Sequence, residues 1–276
     1  MPMEAEYIIQ PKTKQLLISL AQKYEVASFT QEDPSQFIRW YSSPDDVEPA
    51  CFIAAMLSFG NRRQFIPKIR QIFELADKAG GMAAWLKSGR YKKDFVCSDC
   101  KFYRFYSYSD MLDLFSALER ILKEHTTLGE AIYTFCNSSC SLQTLPSAKE
   151  DKNDDDKTLL SVLQFFQTRF ANASIVPKGK SSANKRIFMF LRWMVRQNSS
   201  VDIGLWDWFP PSQLIIPLDV HVLQEAKKLG LIPSTAPASF KTAQLLTNSL
   251  KQIWPDDPCK GDFALFGVGV DMTENV

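Results

Sequence analysis

The chain has 276 residues, 45% of them hydrophobic and 23% charged, with a formal net charge of +1. That length can bury a sizeable core, as one large domain or two lobes, and the composition excludes a disordered chain. Near-neutral charge also means that any affinity for nucleic acid must come from local clustering of bases. No apolar run reaches about eighteen residues, and the start M-P-M-E-A-E-Y is polar, so neither a membrane span nor a secretory leader is expected. A cytoplasmic location is then the default, with the six cysteines reduced.

Helical spacing dominates the chain. Leu17, Leu20, Ala21 and Tyr24 predict an amphipathic helix after Pro11, whereas D-P-S-Q-F-I-R-W-Y, punctuated by Pro34, sets no clear element. Val47 to Phe59 is apolar nearly all round and reads as a buried central helix. Gly60 ends it, and the next helix carries an inner stripe of Ile66, Ile69, Phe73 and Ala76. After Gly80-Gly81 comes a short M-A-A-W-L helix, then an irregular stretch from Tyr91 to Tyr108 that mixes aromatics and bases. Asp110 opens a clean helix through Met111, Leu114, Phe115, Leu118 and Leu122, and Thr127 caps another that runs to Phe135. Ser139 to Lys157 turns small, polar and charged, as a surface insert does. Leu159, Val162, Leu163, Phe166 and Phe170 mark the following helix. Sustained period-two alternation is missing throughout, which predicts an all-α fold of roughly eight to eleven helices.

From Lys157 to Val201 there are eight Lys or Arg residues and no acid, the footprint expected for a phosphate backbone or, more plainly, a solvated basic face. Within it Ile187, Phe190, Leu191, Met194 and Val195 form a core stripe, and Lys185, Met189, Arg192 and Arg196 lie on a neighbouring face. Lys185 then sits at a helix start, where the dipole, partial burial and Arg186 would favour the neutral amine that a nucleophile needs. A phosphate contact is the other reading of that lysine. Further on, Pro217 pre-sets a turn and Asp219 occupies an N-cap position before Val222, Leu223, Ala226 and Leu229. His221 reads as a hydrogen-bonding group, because no ligand spacing surrounds it.

The segment I-I-P-L-D-V-H-V-L-Q-E-A resembles the catalytic-aspartate segment of the helix-hairpin-helix GPD (HhH-GPD) DNA glycosylases, the superfamily of endonuclease III and 8-oxoguanine DNA glycosylase. Pro217, Asp219 and His221 match its pattern, and Lys185 is the best candidate for its nucleophilic lysine. A-A-M-L-S-F-G-N-R-R-Q-F is similar to the family's early helix–turn–helix, with Asn61 at the position pushed into the duplex, and D-F-A-L-F-G-V-G to its closing helix. The hairpin signature is replaced by V-P-K-G-K-S-S-A-N-K, so Lys178 and Lys180 stand as alternative amines. The long interval between Lys185 and Asp219 resembles the archaeal 8-oxoguanine glycosylase branch, and the chain as a whole an uncharacterised bacterial branch, a domain of unknown function.

The resemblance implies a two-lobed helical fold, with one lobe at roughly 45–172 and the other at roughly 1–44 plus 173–276. It also implies a base-excision enzyme acting on damaged duplex DNA, possessing an AP-lyase step and needing no cofactor. Lys185 would attack the sugar and Asp219 would stabilise the cationic sugar. Asn61 and Arg62 would fill the gap left by a flipped nucleotide. Lys178, Lys180, Ser181 and Ser182 would hold phosphate, with Arg186, Arg192 and His221 along the same surface. Trp206, Trp208 and Phe209 are core residues or a stacking platform for the flipped base. A non-catalytic DNA- or RNA-binding protein on the same scaffold is the alternative. Cys97, Cys100, Cys136 and Cys140 have spacings compatible with zinc but lack glycine knuckles, so no metal is expected. A monomer is the default oligomeric state.

Overall fold

The computed structural model describes residues 8–141, 154–179 and 181–274, apart from the side chains of 32, 139–141, 154–157 and 270–274. Among these residues are twelve α-helices, three short 3-10 helices and one two-stranded antiparallel hairpin, so the chain is all-α. None of the described helices is long and apolar enough to cross a membrane. Contacts divide the chain into two units, residues 32–178 and residues 1–31 with 179–276. Residues 32–44, expected with the terminal segments, therefore belong to the middle unit.

The middle unit is arranged about α2 (Pro44–Leu57), on which α3 (Arg62–Asp77), α4 (Met82–Lys87) and α7 (Leu128–Ser141) pack. Every residue of α2 from Val47 to Leu57 is buried, as its all-round apolar sequence requires. Phe52 stacks on Phe166 of α8 (Asp154–Arg169), with ring centroids 5.3 Å apart, a burial worth roughly 2–3 kcal/mol. The same helix buries one acid, Glu48, whose carboxylate accepts the Gly129 N–H at 2.6 Å. That amide lies in the first turn of α7, where backbone donors lack intrahelical partners, so the helix start supplies what the buried charge needs.

Several boundaries differ from the periodicity. Helix α6 (Tyr108–Glu124) begins two residues before Asp110, because Ser107 caps it and Asp110 closes a capping box from the third position. The inner stripe of α3 carries Phe65 and Ile72 with Ile69, Phe73 and Ala76, while Ile66 is half-exposed. The stretch read as irregular folds into α5 (Tyr91–Asp94) and a hairpin of β1 (Lys101–Tyr103) and β2 (Tyr106–Ser107), with Arg104 at its tip in the left-handed region. Strands this short have no room to display an alternation. The polar insert narrows from both ends, since α7 runs to Ser141 and α8 starts at Asp154, and 142–153 lies outside the described residues.

The terminal unit joins α1 (Pro11–Tyr24) to α9 (Lys185–Val195), α10 (Val220–Lys228), α11 (Phe240–Lys251) and α12 (Lys260–Glu274). Helix α1 packs along α12, where Tyr24 meets Phe266 edge-on at 5.7 Å and Phe29 lies between Phe263 and Phe266. Gly267 permits that approach, because a Cβ there would overlap the Tyr24 ring.

Glu119 is the main charged centre of the middle unit. It accepts from Lys123 at 2.6 Å, from Lys92 at 2.9 Å and from the Tyr91 hydroxyl. Burial would raise this carboxyl, but the three donors outweigh it and hold it at about 2. Its contribution is therefore present above the ordinary carboxylate range and lost as pH falls from about 4.5 towards 2. Both lysines are largely exposed, so Glu119→Gln is expected to cost about 1–2 kcal/mol at pH 7, after discounting for solvent screening. Urea titrations at several pH values should show that difference shrinking below pH 4.

Candidate functional site

Lys185 and Asp219 come together. Lys185 is the first residue of α9, following Asn184, which sits in the left-handed region at φ 47 and turns the chain into the helix. Asp219 is the N-cap of α10, reached along Leu214–Leu218, a buried extended run pinned where the Ile216 N–H donates to Thr247 Oγ1 at 3.1 Å. Its two oxygens divide the work. Oδ1 accepts the Val222 N–H at 2.8 Å and fixes the side chain, and Oδ2 lies 3.0 Å from Lys185 Nζ. Burial would raise the Asp219 carboxyl, but Lys185, the Val222 N–H and His221 together hold it below its ordinary range. Side-chain exposures of 35% for Lys185 and 30% for Asp219 leave both open to a ligand. Exposed Val220 and His221 flank them on the solvent side.

The rest of α9 departs from the sequence expectation. Arg192 and Arg196, expected on a basic face, are buried at 4% and 1% exposure. Arg192 pairs with Asp202 at 3.2 Å and with Asp262, while Arg196 pairs with Asp202 at 2.5 Å, Glu25 at 2.6 Å and Asp257 at 2.9 Å. Both guanidinium groups also lie over the Phe263 ring, at 4.7 and 5.3 Å. Arg192 is thus withdrawn as a nucleic-acid contact. The local excess of bases is answered by acids from the cap that ends α1, from the segment after α9, from the turn before α12 and from α12 itself, all outside the window in which the bias was read. Burial works against the Arg196 charge, but Asp202, Asp257 and Glu25 prevail and hold it above its ordinary value.

This network reaches the Lys185–Asp219 pair through Asp262, a residue the sequence reading did not single out. Asp262 lies on α12, takes its bond from Arg192, and feels the charges of Asp219, Lys185 and Asp202. Burial is the largest influence on it; Arg192 and Lys185 oppose and the two aspartates reinforce, leaving its carboxyl pushed up to about 6. Nothing in D-F-A-L-F-G-V-G marks that aspartate, because its environment is assembled from three other segments.

The remaining expected site residues are scattered. Ser181 and Ser182 are exposed before α9, where the Ser181 carbonyl accepts the Phe240 N–H at 3.0 Å. Arg186 is half-buried beside Lys185, and Lys180 lies outside the described residues. Lys178 belongs to the middle unit and donates to the Ala173 carbonyl at 2.7 Å, with burial lowering its pKa. Also in that unit, Asn61 is exposed and caps α3 by accepting the Arg63 N–H at 2.9 Å, and Arg62 lies 3.4 Å from Asp33. The Asn61 turn is braced by the hairpin tip. The Phe59 carbonyl accepts the Tyr103 hydroxyl, the Phe59 ring meets Phe105 at 5.5 Å, and Gly60 at φ 81 leaves space for the Arg104 and Tyr103 side chains. Sequence reasoning missed this tip, where Phe105 is 60% exposed.

Trp206 and Phe209 are buried at 2% and 1%, which makes them core residues, and half-buried Trp208 stacks on Trp206 at 5.5 Å. Of the four cysteines, Cys97 and Cys100 are exposed and Cys136 is buried on α7, whereas the Cys140 side chain lies outside the described residues. Among the described residues no group of three metal-ligating side chains converges.

Removing one member of a buried charge network strands the others. Arg196→Met should therefore lower the unfolding free energy by about 3–5 kcal/mol in urea titrations, and adding Asp202→Asn should recover part of the loss.

No curated protein and no solved structure matches the chain. One family model, described as Protein of unknown function (DUF2400), matches residues 33–271, and the chain belongs to that family.

Proposed function

We propose that the chain is a DNA-repair glycosylase of the helix-hairpin-helix GPD type, with Lys185 as nucleophile and Asp219 as its electrostatic partner. The observation that carries this reading is the 3.0 Å contact between the Lys185 amine and the Asp219 carboxylate, each at the start of its own helix and both open to solvent. An all-helical chain in two units and the sequence P-L-D-V-H at the α10 cap support it. The basic footprint supports it less than the sequence suggested, because Arg192 and Arg196 are taken up inside the terminal unit.

Chemistry follows from the pair. The target nucleotide has to leave the stack, since C1′ is out of reach inside a duplex. Once Lys185 has released its proton, the nitrogen lone pair forms a bond to C1′ and the glycosidic bond breaks. The base departs with that electron pair and takes up a proton. Asp219 faces the positive charge that develops on the sugar, as a carboxylate does in glycoside hydrolysis. Ring opening moves a proton from nitrogen to the ring oxygen and leaves an iminium, from which the 3′ phosphate can be eliminated. Ser181, Ser182 and Arg186, which precede or open α9 beside Lys185, would meet the DNA backbone there.

Borohydride trapping on duplexes containing an abasic site, uracil or 8-oxoguanine tests this directly. A covalent adduct is expected, absent in Lys185→Ala and formed roughly 100-fold more slowly or worse in Asp219→Asn. No adduct with any of these duplexes, or one that persists in Lys185→Ala, would overturn the assignment. Salt-dependent DNA binding without an adduct would instead mark a binding protein on this scaffold.

A further inference from the structure

We propose that the hairpin tip of the middle unit is a surface for single-stranded DNA, on which the Phe105 ring stacks against an unpaired base and the cations around it meet the phosphates. The surface uses neither Lys185 nor Asp219, and only the choice of DNA over RNA rests on the glycosylase reading. Phe105 is 60% exposed, yet it is not a loose side chain. Its ring meets Phe59 at 5.5 Å and Tyr106 at 4.5 Å, and its carbonyl accepts from the Lys101 amine at 3.0 Å. Phe59 is fixed in turn, its carbonyl accepting the Tyr103 hydroxyl and its ring packed edge-on against Tyr103 and Tyr106. The phenyl ring is therefore oriented before a partner arrives, and stacking on it costs little ordering. Arg104, at the tip, holds φ 51, where a glycine would sit without strain, and its guanidinium lies 6.0 Å from the Phe59 ring. The turn alone does not account for an arginine there.

Charge points to the same partner. From Gly60 to Phe105 there are eleven Lys or Arg and four Asp or Glu, an excess of seven in a chain whose net charge is +1. Arg62, Arg63, Lys101 and Arg104 are exposed, and Lys68 is half-buried with its amine 4.7 Å from the Phe102 ring of β1. Arg62 reaches Asp33 at 3.4 Å and still keeps 47% exposure. Arg192 and Arg196 are the opposite case, since acids inside the terminal unit absorb their charge. A lone exposed phenylalanine needs no explanation, but one held in place among exposed cations fits a partner that is both flat and anionic. Single-stranded DNA presents an uncovered base face and a phosphate at every step. A paired duplex hides its base faces in the stack. An acidic peptide brings the charge without the rings, and an anionic membrane would call for a broader apolar face than one phenyl group.

Fluorescence anisotropy of the full chain tests this with three probes: a labelled DNA strand of about 20 nucleotides, the same strand fully paired, and an RNA strand of the same sequence. Wild type is expected to bind the DNA strand. Phe105→Ala should weaken that binding roughly tenfold or more, while affinity for the paired duplex changes less than about twofold. Phe105→Trp should keep the affinity, and the added indole should lose emission on the single strand and not on the duplex. Replacing Arg63 and Arg104 together by alanine should flatten the salt dependence of strand binding. No binding to the single strand, or equal affinity of wild type and Phe105→Ala, overturns the proposal. Equal losses on strand and duplex overturn the stacking role, and tighter binding to the RNA overturns the choice of DNA. Circular dichroism checks that the variants fold, and should a variant at Phe105 fail to do so, emission from Phe105→Trp and the arginine pair decide. Borohydride adducts without Phe105-dependent strand binding leave the glycosylase reading standing and this one overturned; Phe105-dependent binding without any adduct does the reverse.

Discussion

A guanidinium at the depth of Arg196 costs several kcal/mol to take out of water unless carboxylates surround it. Arg196 is met by three and Arg192 by two, Asp202 serving both, and the acids come from the cap that ends α1, from the segment behind α9, from the turn before α12 and from α12 itself. These bonds tie together segments far apart in the chain, in a directional way that apolar packing alone does not impose. The arginines also rest on Phe263, so one aromatic residue of α12 gives the charge cluster its floor. The terminal unit depends on this arrangement more than on any single apolar contact. It fixes the register of α9, and with it the place where Lys185 emerges.

Position at the end of a buried helix explains the contrast between the bases of α9. Lys185 and Arg186 occupy its first turn and stay half-buried, while everything from Ile187 to Val195 is enclosed. The aspartate opposite is equally constrained, since the buried run before it and the Val222 amide leave its side chain little rotational freedom. Two side chains set at the starts of two helices meet with little left to adjust, which is what a site held to sub-ångström geometry needs.

What could be read from the chain was local. The aspartate cap of α10, the Thr127 cap of α7 and the buried character of α2 each rest on a few neighbouring residues, and each is present in the fold. What could not be read was assembled at a distance. The bases between Lys157 and Val201 suggested an outward-facing surface because the acids that bind two of them lie elsewhere in the sequence. Asp262 was invisible for the same reason. The hairpin of β1 and β2 failed differently, since its strands are shorter than the period that would announce them. The choice of Phe65 over Ile66 for the inner face of α3 turned on a helical phase difference of a single residue.

The pairing of α1 with α12 has a further consequence for how the chain comes into being. Leu17, Leu20 and Ala21 of the first helix are buried in a unit that the last helix completes. During synthesis α1 emerges early and then waits, its apolar face uncovered, while the whole middle unit is translated and can fold on its own contacts. Only when α12 leaves the ribosome does α1 gain its partner, and only then are Glu25, Asp257 and Asp262 all available to the two arginines. Helix α9 therefore reaches its final setting last, so a nascent chain caught before that point would carry a finished middle unit and a terminal unit in which Lys185 and Asp219 are not yet held in place.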